Sequence, residues 1–533
     1  MPRPLLTRSA ARAIAALCGV APCVLALSGL TLSEAAASVA GARQPGVTVP
    51  VSVSITSVSP DFARPGRPVT VSGILTNISH KAITGLSVQL RSSQSAFGSR
   101  GALQEYADGI SSPDSPLNGA VTDLTRPLPP RATVRWSITL GGNQLPMTVF
   151  GVYPLAAQAT SADQTPLAVS RTFLPFWTGQ QSLGDPLRQD VAWIWPLIDQ
   201  PRQAICPALL NNGLAASFGS GGRLAGLLEA GRAYSTAARL TWAIDPGLLA
   251  NATTMSKPYH AGGVAGCHGS SRQPQPRAES ASRAATAWLA GLKSATAGQQ
   301  VFVTPYDDAD IAALTRYGLN ADLSHAFTEG RLVAGQALGR SFSATAGGTA
   351  ASTNAVAWPA DGSANRADLV NLAASDGIKT VVLDSSAMPP SSPQVHYTAS
   401  AQTTTRDGRR SGMTVLLSDD TLTQIIGSAN SASDSPAQKF SIEQRYLAET
   451  AMIAAEQPGV ARSVVIAPPR HWDPPADLAS SLLDETVRAP WLQPVSLATL
   501  AAVKHPAGGV RRQAPPETVS GARLGRSLVS QVR

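Results

Sequence analysis

One short pattern recurs along the second half of the chain and restricts its fold more than any other feature. An apolar run typical of a buried strand is followed by an acidic residue and then by a helical pattern. The clearest copy is 301–314, VFVTPYDDADIAAL, and others lie at 240–249, 355–362, 380–386 and 414–422. Such repetition indicates a parallel β/α fold, in which the loops after the strands gather on one rim where active sites lie.

Seven or eight such units are expected between residues 191 and 503. The strands are predicted at 191–197, 240–244, 301–304, 355–358, 380–383, 413–417, 463–467 and, more weakly, 492–495. This number fits a (β/α) barrel, complete or distorted. The alternative is an open doubly wound sheet, but no Gly-rich phosphate loop supports a nucleotide-binding fold, and no cofactor is expected.

Residues 47–170 follow a different pattern, in which apolar and polar residues alternate with a period of two. Val51, Val53 and Ile55 form one predicted strand face, and the turn Arg64-Pro65-Gly66 precedes the next strand. Short, regularly spaced strands without a helical pattern predict an immunoglobulin-like β-sandwich. Residues 171–190 are predicted to be a linker, and the basic, Pro- and Gly-rich residues 504–533 a loosely ordered tail.

The first 42 residues have the organisation of an export signal. Arg3, Arg8 and Arg12 precede the apolar stretch 13–32, and small residues with Ala-x-Ala-like cleavage options fill 35–42. We therefore predict a cleaved signal peptide and an exported, extracytoplasmic protein. The alternative is an uncleaved N-terminal anchor, because the apolar stretch is long for a signal peptide. No later run is long and apolar enough to predict a transmembrane segment.

The charge pattern argues against a nucleic-acid partner. The net charge is +8, but part of the basic excess lies at the two ends of the chain. No basic patch interleaved with aromatic residues occurs, and no nucleic-acid-binding motif is present.

Two of the four cysteines, Cys18 and Cys23, would leave with the signal peptide. The remaining pair, Cys206 and Cys267, would reach an oxidising compartment and is predicted to form one disulfide. Two buried thiols are the alternative.

The acidic turns supply candidate catalytic carboxylates. The candidates are Asp245, Asp307, Asp308 and Asp384. Candidate substrate-binding residues near the strand ends are Trp242, Tyr306, Trp358, Asp361, His471 and Trp472. Paired carboxylates beside aromatic faces are what glycoside hydrolysis requires. The alternative is that these Asp residues cap the helices that follow, as Asp245 before Pro246 would do.

Metal chemistry is not predicted. The chain has no His-x-x-x-His, His-Glu-x-x-His or Cys-x-x-Cys motif, and its seven histidines are scattered. It also has no Gly-x-Ser-x-Gly motif for a nucleophilic serine.

Several of these motifs resemble an uncharacterised family of exported actinobacterial cell-envelope proteins. The resemblance rests on the strand pattern around Gly73 and Asn77, and on the motifs TWAIDPGLL (241–249), TPYDDADIAAL (304–314), AWPADG (357–362) and VVIAPPRHWDP (464–474). It implies a role near cell-wall synthesis, because the family is often encoded beside the lipid II flippase. Members usually carry a further β-rich region and a C-terminal membrane helix.

The barrel region is also distantly similar to polysaccharide deacetylase and glycoside hydrolase barrels. It lacks the paired histidines of the deacetylases, so a metal-dependent deacetylase is not expected. Two functions remain open. In the first, the barrel binds a cell-wall glycan, with or without hydrolysing it. In the second, the protein is a non-catalytic envelope scaffold whose partners are envelope-assembly proteins.

Overall fold

The computed structural model describes residues 50–179, 187–203, 209–259, 261, 276–342, 355–375, 377–389, 403–405, 413–431 and 434–503. The predicted signal peptide, the predicted C-terminal tail, Cys206 and Cys267 lie outside these ranges. No helix within the ranges is long and apolar enough to cross a membrane.

The N-terminal part consists of two antiparallel sheets that share one apolar core. We call residues 50–179 the β-module. Its strands are β1 (Val51–Ser59), β2 (Val69–Asn77), β3 (Ser87–Ser92), β4 (Ser115–Asp123), β5 (Thr133–Leu140), β6 (Gly151–Thr160) and β7 (Pro166–Phe176). One sheet has the order β1-β2-β5 and the other β4-β3-β6-β7. Residues of both sheets, including Val53, Val71 and Leu155, pack in the same cluster.

One prediction for this part is wrong, and one helix interrupts its strands. Residues 171–176 were assigned to a linker, but they belong to β7, which pairs with β6 up to Phe176. Between β3 and β4 the chain forms a helix, α1 (Arg100–Ala107), capped by Ser99, whose side chain accepts a hydrogen bond from the Ala102 N–H. The helix interrupts the alternation because its Leu103 and Tyr106 are buried at helical rather than strand spacing.

The C-terminal part is a nearly closed barrel of seven parallel strands with helices packed around it. The strands are β8 (Gln189–Leu197), β9 (Thr241–Ile244), β10 (Gln300–Val303), β11 (Val356–Ala357), β12 (Thr380–Asp384), β14 (Met413–Ser418) and β15 (Ser463–Ile466). They follow one another around the barrel in the order β10-β9-β8-β15-β14-β12-β11. Strands β10 and β11 do not pair, and we call the space between them the barrel gap.

The weakly predicted eighth strand exists but does not complete the barrel. It is β16 (Leu492–Pro494), which pairs with β8 at Gln189–Val191. A strand has two edges, and β15 occupies one edge of β8 at Asp190–Trp193. The other edge is divided between β16 and β9, which pairs with Ile194–Leu197. The barrel therefore has seven positions around its circumference.

A further short strand, β13 (Thr403–Thr405), pairs antiparallel with β14.

The remaining helices surround or extend the barrel. They are α2 (Gly213–Phe218), α3 (Arg223–Tyr234), α4 (Pro246–Met255), α5 (Pro276–Ala295), α6 (Ile311–Arg316), α7 (Asn320–Leu338), α8 (Arg366–Ser375), α9 (Asp420–Gly427), α10 (Pro436–Glu456), α11 (Ala476–Arg488) and α12 (Leu497–Ala502). Strand β8 is buried on both faces, with Ile194 in the inner cluster and Trp193 in the outer one. This double burial explains its continuous apolar sequence.

Helix α10 joins the two parts of the molecule. Its Phe440 lies in the apolar core of the β-module, while Tyr446 lies in the outer cluster of the barrel. The Gln444 side-chain amide donates to the backbone oxygens of Asp61, at 3.0 Å, and Phe173, at 2.8 Å. The β-module is thus held against the barrel by apolar packing and by buried hydrogen bonds.

Candidate functional site

The acidic turns after the barrel strands lie at one end of the barrel, which we call the rim. Because the seven strands are parallel, their carboxyl ends all face this end. Each predicted site residue can therefore be compared with its neighbours on the rim.

Asp245 follows β9 and caps α4. Its carboxylate accepts hydrogen bonds from the backbone N–H groups of Gly247, at 2.8 Å, and Leu248, at 3.1 Å. Only 1% of the residue is exposed. Burial, followed by the nearby charge of Asp308, raises the pKa of Asp245 well above its ordinary value. A carboxyl group so buried and so bonded is a helix cap, and its exposure leaves almost no surface for a substrate.

Asp307 lies in a tight turn after β10 and over the start of α4. A Cβ atom on Gly247 would come 1.9 Å from Asp307 Oδ1, so only glycine permits this approach. The Asp307 Oδ1 atom is buried and has no hydrogen-bond partner in the described part of the chain. Burial raises the pKa of Asp307 above its ordinary value. This is the one predicted catalytic carboxyl group with a buried, unbonded oxygen.

Asp308 forms an ion pair with Arg470, which comes from the loop after β15. Burial raises the pKa of Asp308, and the Arg470 charge opposes that rise. The Arg470 guanidinium also donates to the backbone oxygen of Trp358, after β11, and lies 4.7 Å from the centre of the Trp358 ring. Arg470 therefore connects the loops on either side of the barrel gap.

The loops after β10 and β11 contain the same turn. In 305–308, Pro-Tyr-Asp-Asp, the last N–H donates to the first carbonyl oxygen at 2.9 Å, and in 359–362, Pro-Ala-Asp-Gly, at 3.1 Å. The third residue is left-handed in both turns, with φ of 55° at Asp307 and 53° at Asp361. Left-handed conformations are unfavourable for residues with a side chain, although Asp tolerates them better than most.

Two other predicted candidates serve local structure. Asp384 caps a short 3-10 turn, Ser385–Ala387, and accepts hydrogen bonds from the Ser386 N–H at 2.9 Å and from its hydroxyl at 2.5 Å. Burial raises the pKa of Asp384. Asp361 is exposed in its turn, and the following Gly362 packs against the backbone of Asp384.

Further carboxylates near the rim are also engaged. Asp199, after β8, is bound by Arg202 at 2.8 Å and by Arg223 at 2.7 Å. Burial alone would raise the pKa of Asp199, but these two arginines outweigh it and lower the pKa.

Asp419, after β14, is bound by an arginine from the β-module. Arg100 of α1 donates to both Asp419 oxygens, at 2.7 and 2.8 Å, and also to Glu449 of α10. Asp419 also caps α9 by accepting from the Leu422 N–H at 2.9 Å. Sequence reasoning missed Arg100, because it is separated from Asp419 by 319 residues and no local pattern marks it.

The aromatic candidates divide into two groups. Trp242 and Trp472 were predicted to be sugar platforms, but both are buried in the outer core, with 0% and 1% of each residue exposed. Their indole N–H groups donate internally, to Ser235 and to the Ile426 carbonyl oxygen. That prediction is wrong for these two residues, because a buried ring offers no face to a ligand.

Tyr306, Trp358 and His471 lie around Arg470 and the acidic turn. Tyr306 is partly exposed, its hydroxyl donates to Gln203 at 3.3 Å, and burial raises its pKa to about 12. Trp358 is 6% exposed and is covered on one side by Arg470. His471 is exposed beside Arg470. These side chains, with Asp307, form the candidate site, which we call the mouth site.

Within the described ranges no three His, Cys, Asp or Glu residues are arranged to hold a metal ion. The predicted disulfide between Cys206 and Cys267 stays a prediction.

Comparison with solved structures finds weak likenesses to an α-amylase, a β-glucosidase and a CARDB domain. The α-amylase AmyC of Thermotoga maritima matches over 63% of this chain and 78% of its own, with 11% identity and a TM-score of 0.38. A β-glucosidase of Listeria innocua matches over 24% of this chain but only 16% of its own, with 15% identity and a TM-score of 0.16. A CARDB domain from Pyrococcus furiosus, solved with two metal ions, matches over 24% of this chain and 91% of its own, with 12% identity and a TM-score of 0.15. These scores are too low to support a function.

No curated protein matches the sequence significantly. One family model does match, and it covers residues 8–527. That range includes the β-module, the barrel and the mouth site, so the chain belongs to the family of unknown function DUF6049.

Proposed function

We propose that this chain is an exported, non-catalytic cell-envelope protein, in which the β-module and the barrel form one rigid scaffold that supports cell-wall assembly. The observation that carries the proposal is the engagement of the rim carboxylates in internal bonds. Asp245 and Asp384 cap local structure, Asp308 is paired with Arg470, and Asp419 is bound by Arg100.

The internal bonds of the rim carboxylates do not favour glycoside hydrolysis. It uses two carboxyl groups, about 5–10 Å apart, that both face the sugar. Only Asp307 among the four predicted catalytic residues has a buried oxygen without a partner. A second carboxyl group would have to give up a helix cap or an ion pair before it could act.

The buried ion pairs of Arg100, which connect the β-module to the barrel, support the scaffold role. The Arg100 side chain is 5% exposed, and those of Asp419 and Glu449 are 0% exposed. Buried ion pairs of this kind fix geometry, because any relative movement would leave charges buried and unpaired. A β-module fixed to a barrel presents binding surfaces at a constant distance and angle.

Export is the part of the proposal that rests on the N-terminal sequence. Intact-mass analysis of protein from its natural host should give a chain that begins within 41–45. Recovery of a membrane-bound chain that starts at Met1 would support the anchor alternative.

The scaffold role is tested by complementation of a deletion strain. A variant with Asp307→Asn, Asp308→Asn and Asp384→Asn should restore normal cell-wall growth as well as the unchanged protein does. A variant with Arg100→Met loses the ion pairs with Asp419 and Glu449. It should restore cell-wall growth poorly at an equal protein level. Failure of the carboxylate variant at normal abundance, with success of Arg100→Met, would overturn the proposal.

A second candidate function is hydrolysis of a cell-wall glycan at the mouth site, and it is favoured by the unbonded oxygen of Asp307. Burial favours the protonated form of this group, as an acid catalyst requires. If purified protein releases sugars from envelope glycans, Asp307→Asn should abolish turnover. Asp361→Asn is the matched control, since it changes the same position of the repeated turn at an exposed site. Equal loss in both variants would exclude a catalytic role for Asp307.

A further inference from the structure

A second acidic cluster lies away from the rim, where α10, α11 and the β-module meet. At its centre is Glu485 of α11, which is 6% exposed and whose Oε2 atom has no hydrogen-bond partner among the described residues. The neighbouring acidic groups are Glu443 of α10, Asp484 of α11, and Asp61, which follows β1. We call these four residues the joint cluster.

Within the described part of the chain, one arginine, Arg488, forms ion pairs with this cluster. Arg488 binds Asp61 of the β-module at 2.9 Å and Asp484 of its own helix at 2.5 Å. Its side chain is 53% exposed, so its charge is screened by water more than a buried charge would be. Four carboxyl groups against one partly exposed arginine leave the cluster short of positive charge.

The other polar groups around the cluster do not correct this shortage. Glu443 is bonded to Ser481 of α11, and Lys439 of α10 is held by Asp434 and Asp477. On α3, the Tyr234 hydroxyl faces Asp484.

The cluster also lies on a direct contact between the two parts of the molecule. The Asp61 carboxylate is bound by α11 through Arg488, and the Asp61 backbone oxygen accepts from Gln444 of α10. Phe62, the next residue, packs edge-on against Trp491 of the barrel, with 5.3 Å between ring centres. A charge that appears on Glu485 therefore acts on the segment that holds the β-module.

We propose that the joint cluster is a proton-operated contact, which holds the Asp61 segment of the β-module against α11 in acid and releases that segment as the pH rises. The ion pairs of Arg100 with Asp419 and Glu449 keep the β-module on the barrel in both states. The proton is carried by Glu485, whose buried position favours the neutral carboxyl group. Ionised Glu485 would carry a buried negative charge beside Glu443 and Asp61 without its own cation. The resulting repulsion is relieved when the Asp61 segment moves away.

The direction of the effect follows from linkage. Burial, then the charges of Glu443 and Asp61, raise the pKa of Glu485 well above its ordinary value. A group with a raised pKa in the closed state binds its proton more tightly there than in an opened state. Protonated Glu485 stabilises the closed state. This stabilisation is complete below the pKa that Glu485 has in the opened state, and it is lost as the pH rises through the pKa that Glu485 has in the closed state. Loosening is therefore expected on the alkaline side.

Hydrogen exchange of the whole mature chain between pH 5 and pH 8 tests whether the contact between the Asp61 segment and α11 loosens as the pH rises. Protection factors of residues 61–67 and of α11, corrected for the intrinsic effect of pH on exchange, should fall as pH rises. The steepest fall should approach about tenfold per pH unit, because one proton is released on opening. Strand β12, on the far side of the barrel, is the internal control and should show no such fall.

Two variants make the test specific to Glu485. Glu485→Gln is uncharged at every pH, so protection of residues 61–67 should become independent of pH. Glu443→Gln removes a charge that raises the pKa of Glu485. The fall in protection with pH should therefore become smaller and should end at a lower pH. If Glu485→Gln does not fold, Glu443→Gln carries the test. Three results would overturn the proposal: an unchanged size and end point of the fall in the variant used, protection that does not depend on pH in the unchanged protein, or an equal fall in β12.

Discussion

Replacement of Arg100 by methionine is the sharpest test of how the two parts are joined. Arg100 lies on α1 of the β-module, but its guanidinium binds Asp419 and Glu449 of the barrel part. Methionine keeps much of the apolar volume of the side chain and removes the charge with its hydrogen bonds. The change therefore isolates the ionic contribution from the packing of α1.

The expected loss of stability follows from what each carboxylate retains. Glu449 keeps its ion pair with Arg445 at 2.5 Å. Among the described residues, the fully buried Asp419 carboxylate keeps only its hydrogen bond from the Leu422 N–H, at 2.9 Å. Removing one partner of a buried ion pair typically costs about 3–5 kcal/mol, because a charge is left uncompensated. We expect Arg100→Met to lower the free energy of unfolding by this amount at neutral pH.

Urea unfolding, followed by tryptophan fluorescence, measures the loss. Arg445→Met is the matched control, since Arg445 also binds Glu449 but leaves Glu449 paired with Arg100. The control should cost about 1 kcal/mol. The triple variant Arg100→Met, Asp419→Asn, Glu449→Gln should recover much of the loss, because no unpaired charge remains. A loss below about 1 kcal/mol for Arg100→Met, or one equal to the control, would refute the reasoning.

Four further substitutions, in or near the rim, have expected outcomes. Asp245→Asn should cost at most about 1–2 kcal/mol, because asparagine is also a good helix cap. The pKa of Asp245 is raised in the folded state, so its stabilising contribution is complete below the unfolded pKa and is lost as the pH rises through the folded pKa. Urea unfolding should therefore show a larger cost of Asp245→Asn in acid than above neutral pH, and the reverse trend would contradict the assignment. Trp472→Ala should cost about 3–5 kcal/mol in the same assay, since it empties a core position, whereas Tyr306→Phe should cost about 1 kcal/mol, since it removes one partly exposed hydrogen bond. Asp361→Gly should leave stability unchanged or raise it by up to about 1 kcal/mol in thermal unfolding, because glycine accepts a φ of 53° without strain.

Several features could be predicted because short-range forces decide them. The apolar runs of the barrel strands mark burial on both faces, and the alternation in the β-module marks burial on one. The helix caps at Asp245 and Asp419 follow from the side chain of Asp and the two or three residues after it. Each of these patterns needs only a few neighbouring residues.

Other features could be decided only by contacts between distant residues. The eighth predicted strand is real, but its place beside β8 depends on which edge of β8 remained free. Trp242 and Trp472 stand at strand ends, where sequence alone could not distinguish a ligand platform from a core residue. Their burial became visible only when the surrounding helices were placed.

The pairing of charged side chains is the feature that the sequence predicted least. The sequence determined which acidic residues follow the barrel strands, but not which cation neutralises each of them. Arg470 reaches Asp308 across 162 residues of sequence, and Arg100 reaches Asp419 across 319. An ion pair depends on distance in space and on burial, and neither leaves a mark on the local sequence. The tertiary structure therefore decided that, of the four predicted catalytic carboxylates, Asp307 kept a buried oxygen without a partner among the described residues.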